Sequence, residues 1–391
     1  MEKYFIRTFG CKVNQYESQL IFEKYKKNFE YTYKFSNANI IIINSCTVTA
    51  KADQKCLNFL KNILKLPNKP KIILTGCIVK KNIDFKKLFP MIEIIKDKTK
   101  LFSINKQNIQ NISHFHKHSR AFVKIQDGCN DYCTYCVIPY VRNVFYSKPV
   151  NEIILEIINL VKNGYFEIVL TGINIGKHDN NISYLIKKII KIPLNFRIRI
   201  SSIELNKVDN ELIELIKENP NKICNHLHIP LQSGCDEILE KMNRKYSTQK
   251  FKKRINEIMQ FLPDLALTTD IITGFPGETK KHYEKSYDFI LQIPFAKLQI
   301  FSYSDRDYTK ASKFENKISI NEIKIRVKNL LKLNNIKKNE FIKKHIGTIR
   351  KAVKIRTDTA LTDNYIRIKI NNLSKKQHGI FTIKVTKTAK I

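Results

Sequence analysis

The sequence predicts an α/β chain in three parts. They are a small doubly wound domain over residues 1–105, an incomplete (β/α)6 barrel over 121–345 and a short basic β domain over 346–391. Three observations predict this. Short apolar runs such as Ile40 to Ile43 alternate with amphipathic stretches of helical length, as buried parallel strands and their crossover helices do. Nearly every strand is followed by cysteine, glycine or small polar residues, at the edge where open α/β sheets and barrels place their ligands. Beyond the last helix, Phe341 to Ile391 carries 13 Lys and Arg against 2 Asp, in strand-like patterns.

In the first part, strands are expected over Tyr4–Phe9, Ile40–Asn44, Lys71–Thr75 and Met91–Ile95. Helices are expected over Asn14–Phe29, over Val48–Leu66 (stopped by Pro67) and over Val79–Phe89. Residues 106–120, with His114, His116 and His118, read as a solvated linker. Six barrel strands follow, over Ala121–Gln126, Ile168–Leu170, Phe196–Ile200, Leu227–Ile229, Leu267–Ile272 and Lys297–Phe301. The helices between them are read at Val150–Lys162, Ser183–Lys191, Asp209–Glu218, Thr248–Phe261 and Lys280–Gln292. Asn321–His345 is a long basic helix, and Thr348–Ile355, Tyr365–Ile370 and Ile380–Thr386 are three strands.

The chain has 391 residues, 43% of them hydrophobic, enough for two or three packed cores. Seventy basic residues against 35 acidic give a net charge of +35, which favours a polyanion, with RNA or DNA first. Heavy use of Lys, Ile and Asn, as an AT-rich genome imposes, accounts for part of that excess. No apolar run approaches the roughly 20 residues of a membrane span, and Met1 to Thr8 turns polar too soon for a signal peptide. The expectation is a cytoplasmic protein without membrane contact, whose nine Cys serve metal ligation or catalysis rather than disulfides.

Two sets of cysteines stand out. Cys129, Cys133 and Cys136 lie in eight residues as CxxxCxxC, directly after the first barrel strand. Such a loop reaches three corners of a four-iron cluster and leaves one iron open. Zinc is the rival metal, but structural zinc sites are closed by four ligands, usually as paired CxxC units. Cys11, Cys46 and Cys77 each follow a strand of the first domain, so parallel strands bring them to one rim, with Gly10 and Gly76 permitting tight backbone. Cys56, Cys224 and Cys235 read as small buried residues.

With Tyr135 before its last Cys, the loop resembles the signature of the radical S-adenosylmethionine (SAM) enzymes. The whole chain is similar to their methylthiotransferase branch. The segments that carry the likeness are Gly10-Cys11-Lys12-Val13-Asn14-Gln15, Asn44-Ser45-Cys46-Thr47-Val48, Leu74-Thr75-Gly76-Cys77, Gln126-Asp127-Gly128-Cys129 and Ile138-Pro139-Tyr140. The resemblance implies a flavodoxin-like first domain, a radical SAM barrel and a C-terminal TRAM-like RNA-binding domain. It implies two 4Fe-4S clusters held by the six cysteines, with SAM on the open iron of the barrel cluster. Thr171, Gly172 and Asn174 would meet the SAM amino group, and Ser201, Ser202 and Glu204 its ribose. Tyr135 and Gln232 complete the expected SAM contacts. No side chain is expected to be catalytic beyond the cluster ligands.

In this family a 5′-deoxyadenosyl radical takes hydrogen from carbon 2 of an adenine, the N-terminal cluster supplies sulfur, and a second SAM supplies methyl. Among members, Gly10 to Asn14, Thr171 to Gly176 and Thr362 to Tyr365 look most like enzymes that act on N6-threonylcarbamoyladenosine beside the tRNA anticodon. The implied partners are tRNA and an electron donor such as flavodoxin or ferredoxin. The alternatives are the sister enzyme for isopentenyladenosine, the enzyme that methylthiolates a ribosomal Asp, and a non-catalytic RNA-binding protein with a sensing cluster. Two departures stand out: Arg142-Asn143 where the family usually has Arg-Gly, and a short C-terminal domain.

Overall fold

The computed structural model describes residues 1–81, 83–101, 111–116, 118–370 and 379–391. Its first sheet is wholly parallel, in the order β2-β1-β3-β4-β5. The strands are β1 (Lys3–Thr8), β2 (Glu30–Tyr31), β3 (Ile40–Ser45), β4 (Lys71–Gly76) and β5 (Ile92–Ile94). Strand β3 is buried along its whole length, as its unbroken apolar run requires. Helix α1 (Lys12–Tyr25) follows β1, and α2 (Ala50–Ile63) follows β3, its start capped by the Thr49 side chain.

Two details differ from the sequence reading. The two-residue edge strand β2 was not expected. The helix expected over Val79–Phe89 is a 3-10 turn at Ile78–Lys80 and a single turn, α3 (Phe85–Leu88). Lys81 is extended, and the Asp84 carboxylate accepts from Lys87 N, which starts a new helix instead of continuing the old one.

The second part begins with β6 (Ala121–Lys124), the two-residue β7 (Gln126–Asp127), α4 (Ile138–Val141) and β8 (Tyr146–Ser147). It continues with α5 (Val150–Lys162), β9 (Glu167–Thr171), α6 (Ile182–Ile190), β10 (Arg197–Ile200), α7 (Asn210–Glu218) and β11 (His226–His228). It ends with α8 (Asp236–Lys241), α9 (Thr248–Phe261), β12 (Ala266–Thr273), α10 (Lys280–Gln292) and β13 (Lys297–Ser302). Strands β6, β9 and β10 form one parallel sheet, and β11, β12 and β13 another. The parallel bridges Ile198–Ile223 and Ser202–His228 join the two into one six-stranded arc. The arc is the expected (β/α)6 order, open between β6 and β13.

The first sheet's helices straddle that open seam. Tyr16 and Leu20 of α1 are part of the barrel's apolar core, and Tyr16 Oη donates to Glu156 on α5 at 2.7 Å. On the other side, Ala50 N donates to Ser304 Oγ (2.9 Å), and Arg306 donates to Thr47 (2.7 Å) and Asp53 (2.5 Å).

The stretch expected as a solvated linker is docked where it is described. Ile112 and Phe115 are buried in the barrel core. Glu23 accepts from Ser113 N and His114 N, and His116 stacks on Phe22 with ring centroids 4.5 Å apart. Residues 106–110 and 117 lie outside the described residues. His114 and His118 are exposed, and among the described residues neither joins a cluster of metal-ligating side chains.

Helix α11 (Ile320–His345) packs Leu330 and Leu333 into the barrel core. It leads to an antiparallel sheet ordered β16-β15-β14-β17, with β14 (Ile349–Arg356), β15 (Thr359–Thr362), β16 (Arg367–Lys369) and β17 (Ile380–Lys384). Four strands stand where three were expected. The added one, β15, folds back on β14 through a tight turn with a bulge between Lys354 and Arg356. This sheet seals the barrel at its strand starts. Arg197 donates to Lys351 O (2.8 Å) and Leu361 O (2.9 Å), and Arg199 to Asp363 O and Thr362 O, both at 2.9 Å. Both arginines and Arg120 converge on the buried Glu167. Burial works against its charge, but Arg199, Arg197 and Arg120 outweigh it and hold the carboxyl well below its usual range.

Candidate metal centre

Three parallel strands deliver the first cysteine triad. Cys46 follows β3, Cys77 follows β4, and Cys11 is the residue before α1. Gly10 (φ 93°) and Gly76 (φ 101°) hold left-handed backbone. A Cβ on Gly10 would lie 2.6 Å from Cys46 Sγ, and one on Gly76 would lie 2.4 Å from Ser45 O. Only glycine lets these loops close on one another. Asn14 Nδ2 ties the rim together by donating to Phe9 O and Ser45 O, both at 2.8 Å. Ser45 Oγ donates to Thr75 O at 2.6 Å and accepts from Ile78 N at 3.1 Å.

The three thiols stand within electrostatic reach of one another. Burial raises the Cys46 thiol to about 12, and the neighbouring Cys77 and Cys11 add to the rise. Burial is also the first cause of the rise at Cys11. Burial thus disfavours the thiolate at Cys46 and at Cys11, and bound iron would supply the compensating charge. The donor set and its crowding therefore fit a cluster. Gly10→Ala is expected to lose this centre alone, and iron analysis after anaerobic reconstitution should read about four atoms per chain in place of about eight.

The second triad sits on the loop after β7. Tyr132 takes φ 48°, which turns the chain between Cys129 and Cys133. Thr134 anchors the loop, donating to Lys241 O (2.7 Å) and Met242 O (3.1 Å). Tyr135 packs among Met242, Phe275 and Tyr303. Burial raises Cys136 to about 12 and Cys129 to about 11. Polar hydrogens point at the sulfurs, with Arg244 Nη1 3.4 Å from Cys133 Sγ and Asn174 Nδ2 3.9 Å from Cys129 Sγ. Donors of this kind tune a cluster's ligands.

The residues expected to meet SAM lie at the C-terminal strand ends around this loop. Thr171 ends β9, and Gly172 lies against Gln126, where a Cβ would be 2.8 Å from its carbonyl oxygen. Asn174 Oδ1 and Ser201 Oγ are buried with no protein partner, as two groups awaiting a polar ligand would be. Glu204 pairs with Arg244, and Ser202 is exposed. Gln232 is buried at φ 68°, and its backbone bonds to Asp270 O (2.8 Å) and Ile272 N (2.9 Å). The orphaned atoms fit SAM in this position.

The two triads face one junction. Cys77 packs against Val137 and Val141, immediately after Cys136. Beside them a 260 Å³ cavity is lined by Cys77, Glu17, Lys98, Lys124, Asp127 and Arg142. Sequence reasoning missed this charged set. Arg142 was singled out only for the residue after it, yet its guanidinium donates to Glu17 (2.9 Å), Asp127 (2.8 Å) and Asn14 (2.6 Å). The remaining cysteines behave as expected of packing residues: Cys56 and Cys224 are fully buried, and Cys235 precedes α8. Cys235, Glu237 and His282 do cluster, but Glu237 pairs with Lys285 and His282 accepts from Thr279 N in a capping box.

Comparison with known proteins agrees with this geometry. Residues 123–290 match the model of the radical SAM superfamily, and residues 3–96 match uncharacterized protein family UPF0004. The chain is 32% identical over 424 residues to threonylcarbamoyladenosine tRNA methylthiotransferase MtaB of Bacillus subtilis, covering 97% of this chain and 93% of that one. It is 35% identical over 333 residues to MtaB of Thermotoga maritima, covering 79% and 76%. It is also 34% identical over 350 residues to a tRNA-2-methylthio-N(6)-dimethylallyladenosine synthase of Clostridium botulinum, covering 81% and 78%. Among solved structures, the radical SAM methyltransferase TsrM of Kitasatospora setae matches with a TM-score of 0.58 at 12% identity, over 80% of this chain and 77% of that one. That likeness bears on the fold alone.

The arc, the CxxxCxxC loop and the matched model define a radical SAM enzyme. Within that class the chain belongs to the methylthiotransferase family that includes the MtaB proteins. Its cofactors are SAM and two 4Fe-4S clusters. No helix among the described residues is long and apolar enough to cross a membrane.

Proposed function

We propose that this enzyme converts N6-threonylcarbamoyladenosine beside the anticodon of tRNA to its 2-methylthio form. The observation that carries the proposal is the meeting of the two triads, with Cys77 seated on the residues that follow Cys136. Cys129, Cys133 and Cys136 would hold the cluster that binds SAM, and Cys11, Cys46 and Cys77 the one that serves sulfur. When bound, the clusters and SAM supply the electron, the hydrogen abstraction at carbon 2, the sulfur and the methyl group. The chain's own work is to orient and to exclude water. Asn174 and Ser201 offer unpaired polar atoms to SAM, and Arg244 and Asn174 donate toward the ligand sulfurs.

A polyanionic substrate is supported by a 490 Å³ cavity between residues 118–122 and the C-terminal sheet. Arg120, Arg356, Arg367, Lys369 and Lys390 line it together with His118, and among the described residues no carboxylate does. Basic side chains in such a groove neutralise phosphates. The choice of base follows the MtaB relatives of Bacillus subtilis and Thermotoga maritima. Mass spectrometry of tRNA nucleosides tests it: a strain without this gene should keep threonylcarbamoyladenosine and lose its 2-methylthio form. Loss of methylthiolated dimethylallyladenosine instead would reassign the substrate.

A further inference from the structure

The stretch after β13, residues 303–313, is bonded to the loops of both cysteine triads. On one side, Arg306 Nη2 donates to Thr47 Oγ1 (2.7 Å) and to Asp53 Oδ2 (2.5 Å). Thr47 directly follows Cys46, and Asp53 lies on α2. Lys81, at the end of the 3-10 turn that follows Cys77, donates to the same Asp53 oxygen at 3.3 Å and lies 3.6 Å from Asp307. The loops that carry Cys46 and Cys77 are thus tied to two successive residues, and Arg306 and Thr47 are buried.

On its other side the same stretch holds the CxxxCxxC loop. Ala311 N donates to Thr134 O at 2.9 Å, between Cys133 and Cys136. Ala311 is also buried in the apolar cluster against which Tyr135 packs. Between the two attachments, Thr309 N and Thr309 Oγ1 both donate to Arg306 O at 2.9 Å and close the turn. The stretch is therefore a short, internally bonded piece of chain with one triad at each end.

The proposed reaction takes hydrogen from carbon 2 of the base and then joins sulfur to that carbon, so both triads must address one atom. A misplacement of about 1 Å can cost such a step about a hundredfold in rate. The geometry points to residues 303–313 as the spacer that sets the gap between the triads, with Arg306 as its positioning residue. This rests on the function proposed above. Arg306 is not the sole tie between the first domain and the barrel, because Glu17 and Arg142 join them from the α1 side. Its loss strands no charge either, since Lys81 still faces Asp53. Removing Arg306 therefore frees the Cys46 loop to shift and leaves the CxxxCxxC loop in place.

The test compares the reconstituted wild-type holoenzyme with Arg306→Met and Arg306→Lys, each checked for iron content, on anticodon stem-loop RNA carrying threonylcarbamoyladenosine. 5′-Deoxyadenosine and the methylthiolated nucleoside are read in the same sample. Pulsed electron paramagnetic resonance of the reduced protein reads the distance between the two clusters. Arg306→Met should release 5′-deoxyadenosine within about twofold of the wild type yet methylthiolate about tenfold or more slowly. The ratio of the two products should rise accordingly, and the inter-cluster distance should shift or broaden. Arg306→Lys, which keeps a cation beside Asp53, should recover part of the coupling. An unchanged ratio and distance in Arg306→Met, or both products falling together at full iron content, would overturn the spacer and leave the proposed function standing. If Arg306→Met loses iron, Thr47→Val decides, because it removes one acceptor of Arg306 and leaves every charge. Its ratio should also rise, and an unchanged ratio would overturn the spacer. Failure of the wild type to methylthiolate this RNA would overturn the function itself.

Discussion

Replacing Cys133 by alanine is expected to reduce 5′-deoxyadenosine release to background, whereas Cys46→Ala should retain that release and stop methylthiolation. The two residues serve different sheets. Cys133 lies on the loop after β7, in hydrogen-bond reach of Arg244, and on the proposed reading it would supply, with Cys129 and Cys136, the ligands of the SAM-binding cluster. A four-iron cluster with three protein ligands does not survive the loss of one in a form that holds SAM at a defined iron. Cys46 follows β3 and packs on Gly10, on the far side of the junction. Its removal leaves the loop anchored by Thr134 and Tyr135 untouched. Anaerobic assays with dithionite, reading 5′-deoxyadenosine and the RNA nucleosides in the same sample, separate the two outcomes. Continued methylthiolation by Cys46→Ala over many turnovers would show that the sulfur comes from elsewhere.

The placement of the two triads was visible in the sequence because it is carried by local pattern. A residue directly after an apolar parallel strand must arrive at the sheet's ligand edge, whatever the rest of the chain does. Cys46 after β3 and Cys77 after β4 are placed by that rule. The six barrel strands were legible for the same reason, since each is a short apolar run bounded by amphipathic helices. The features that escaped lack local pattern. Strand β2 has two residues, and β15 is the four-residue Thr-Ala-Leu-Thr, too short for a periodicity to register. The segment with His114 and His116 is polar enough to read as solvated, and only Glu23 and Phe22, about 90 residues earlier, reveal that it docks. Helix Val79–Phe89 was misread because its apolar spacing continues across the extended Lys81 and the Asp84 cap that starts a separate turn.

The junction network escaped most completely, and it yields the second large prediction: Glu17→Gln should destabilise the fold more than Arg142→Met does. Glu17 of α1 lies between Arg142 (2.9 Å), Lys98 (2.5 Å) and Lys124 (3.5 Å), and Asp127 pairs with Arg142 (2.8 Å) and Lys124 (3.2 Å). All but Asp127 are buried, and Asp127 is nearly so. The cluster therefore holds three cations and two carboxylates. Removing Arg142 forfeits hydrogen bonds but leaves a lysine for each carboxylate. Removing the charge of Glu17 leaves three buried cations facing Asp127 alone, and an uncompensated buried charge costs about 3–5 kcal/mol. Burial opposes the charge on Glu17, yet Arg142, Lys98 and Lys124 hold its carboxyl well below the usual range. A carboxyl depressed in the folded state stabilises the fold at every pH above its unfolded value. That contribution fades as pH falls below about 4.3 toward the folded value. Unfolding of the wild type should thus become easier with acid in that window, and Glu17→Gln should flatten this part of the pH dependence while lying below the wild type at neutral pH. Chemical denaturation at pH 7 and at steps below pH 5 reads both effects. Arg142→Met unfolding earlier than Glu17→Gln would mean that the hydrogen bonds to Asn14 and Asp127, and not the charge balance, hold α1 and the first triad against the barrel.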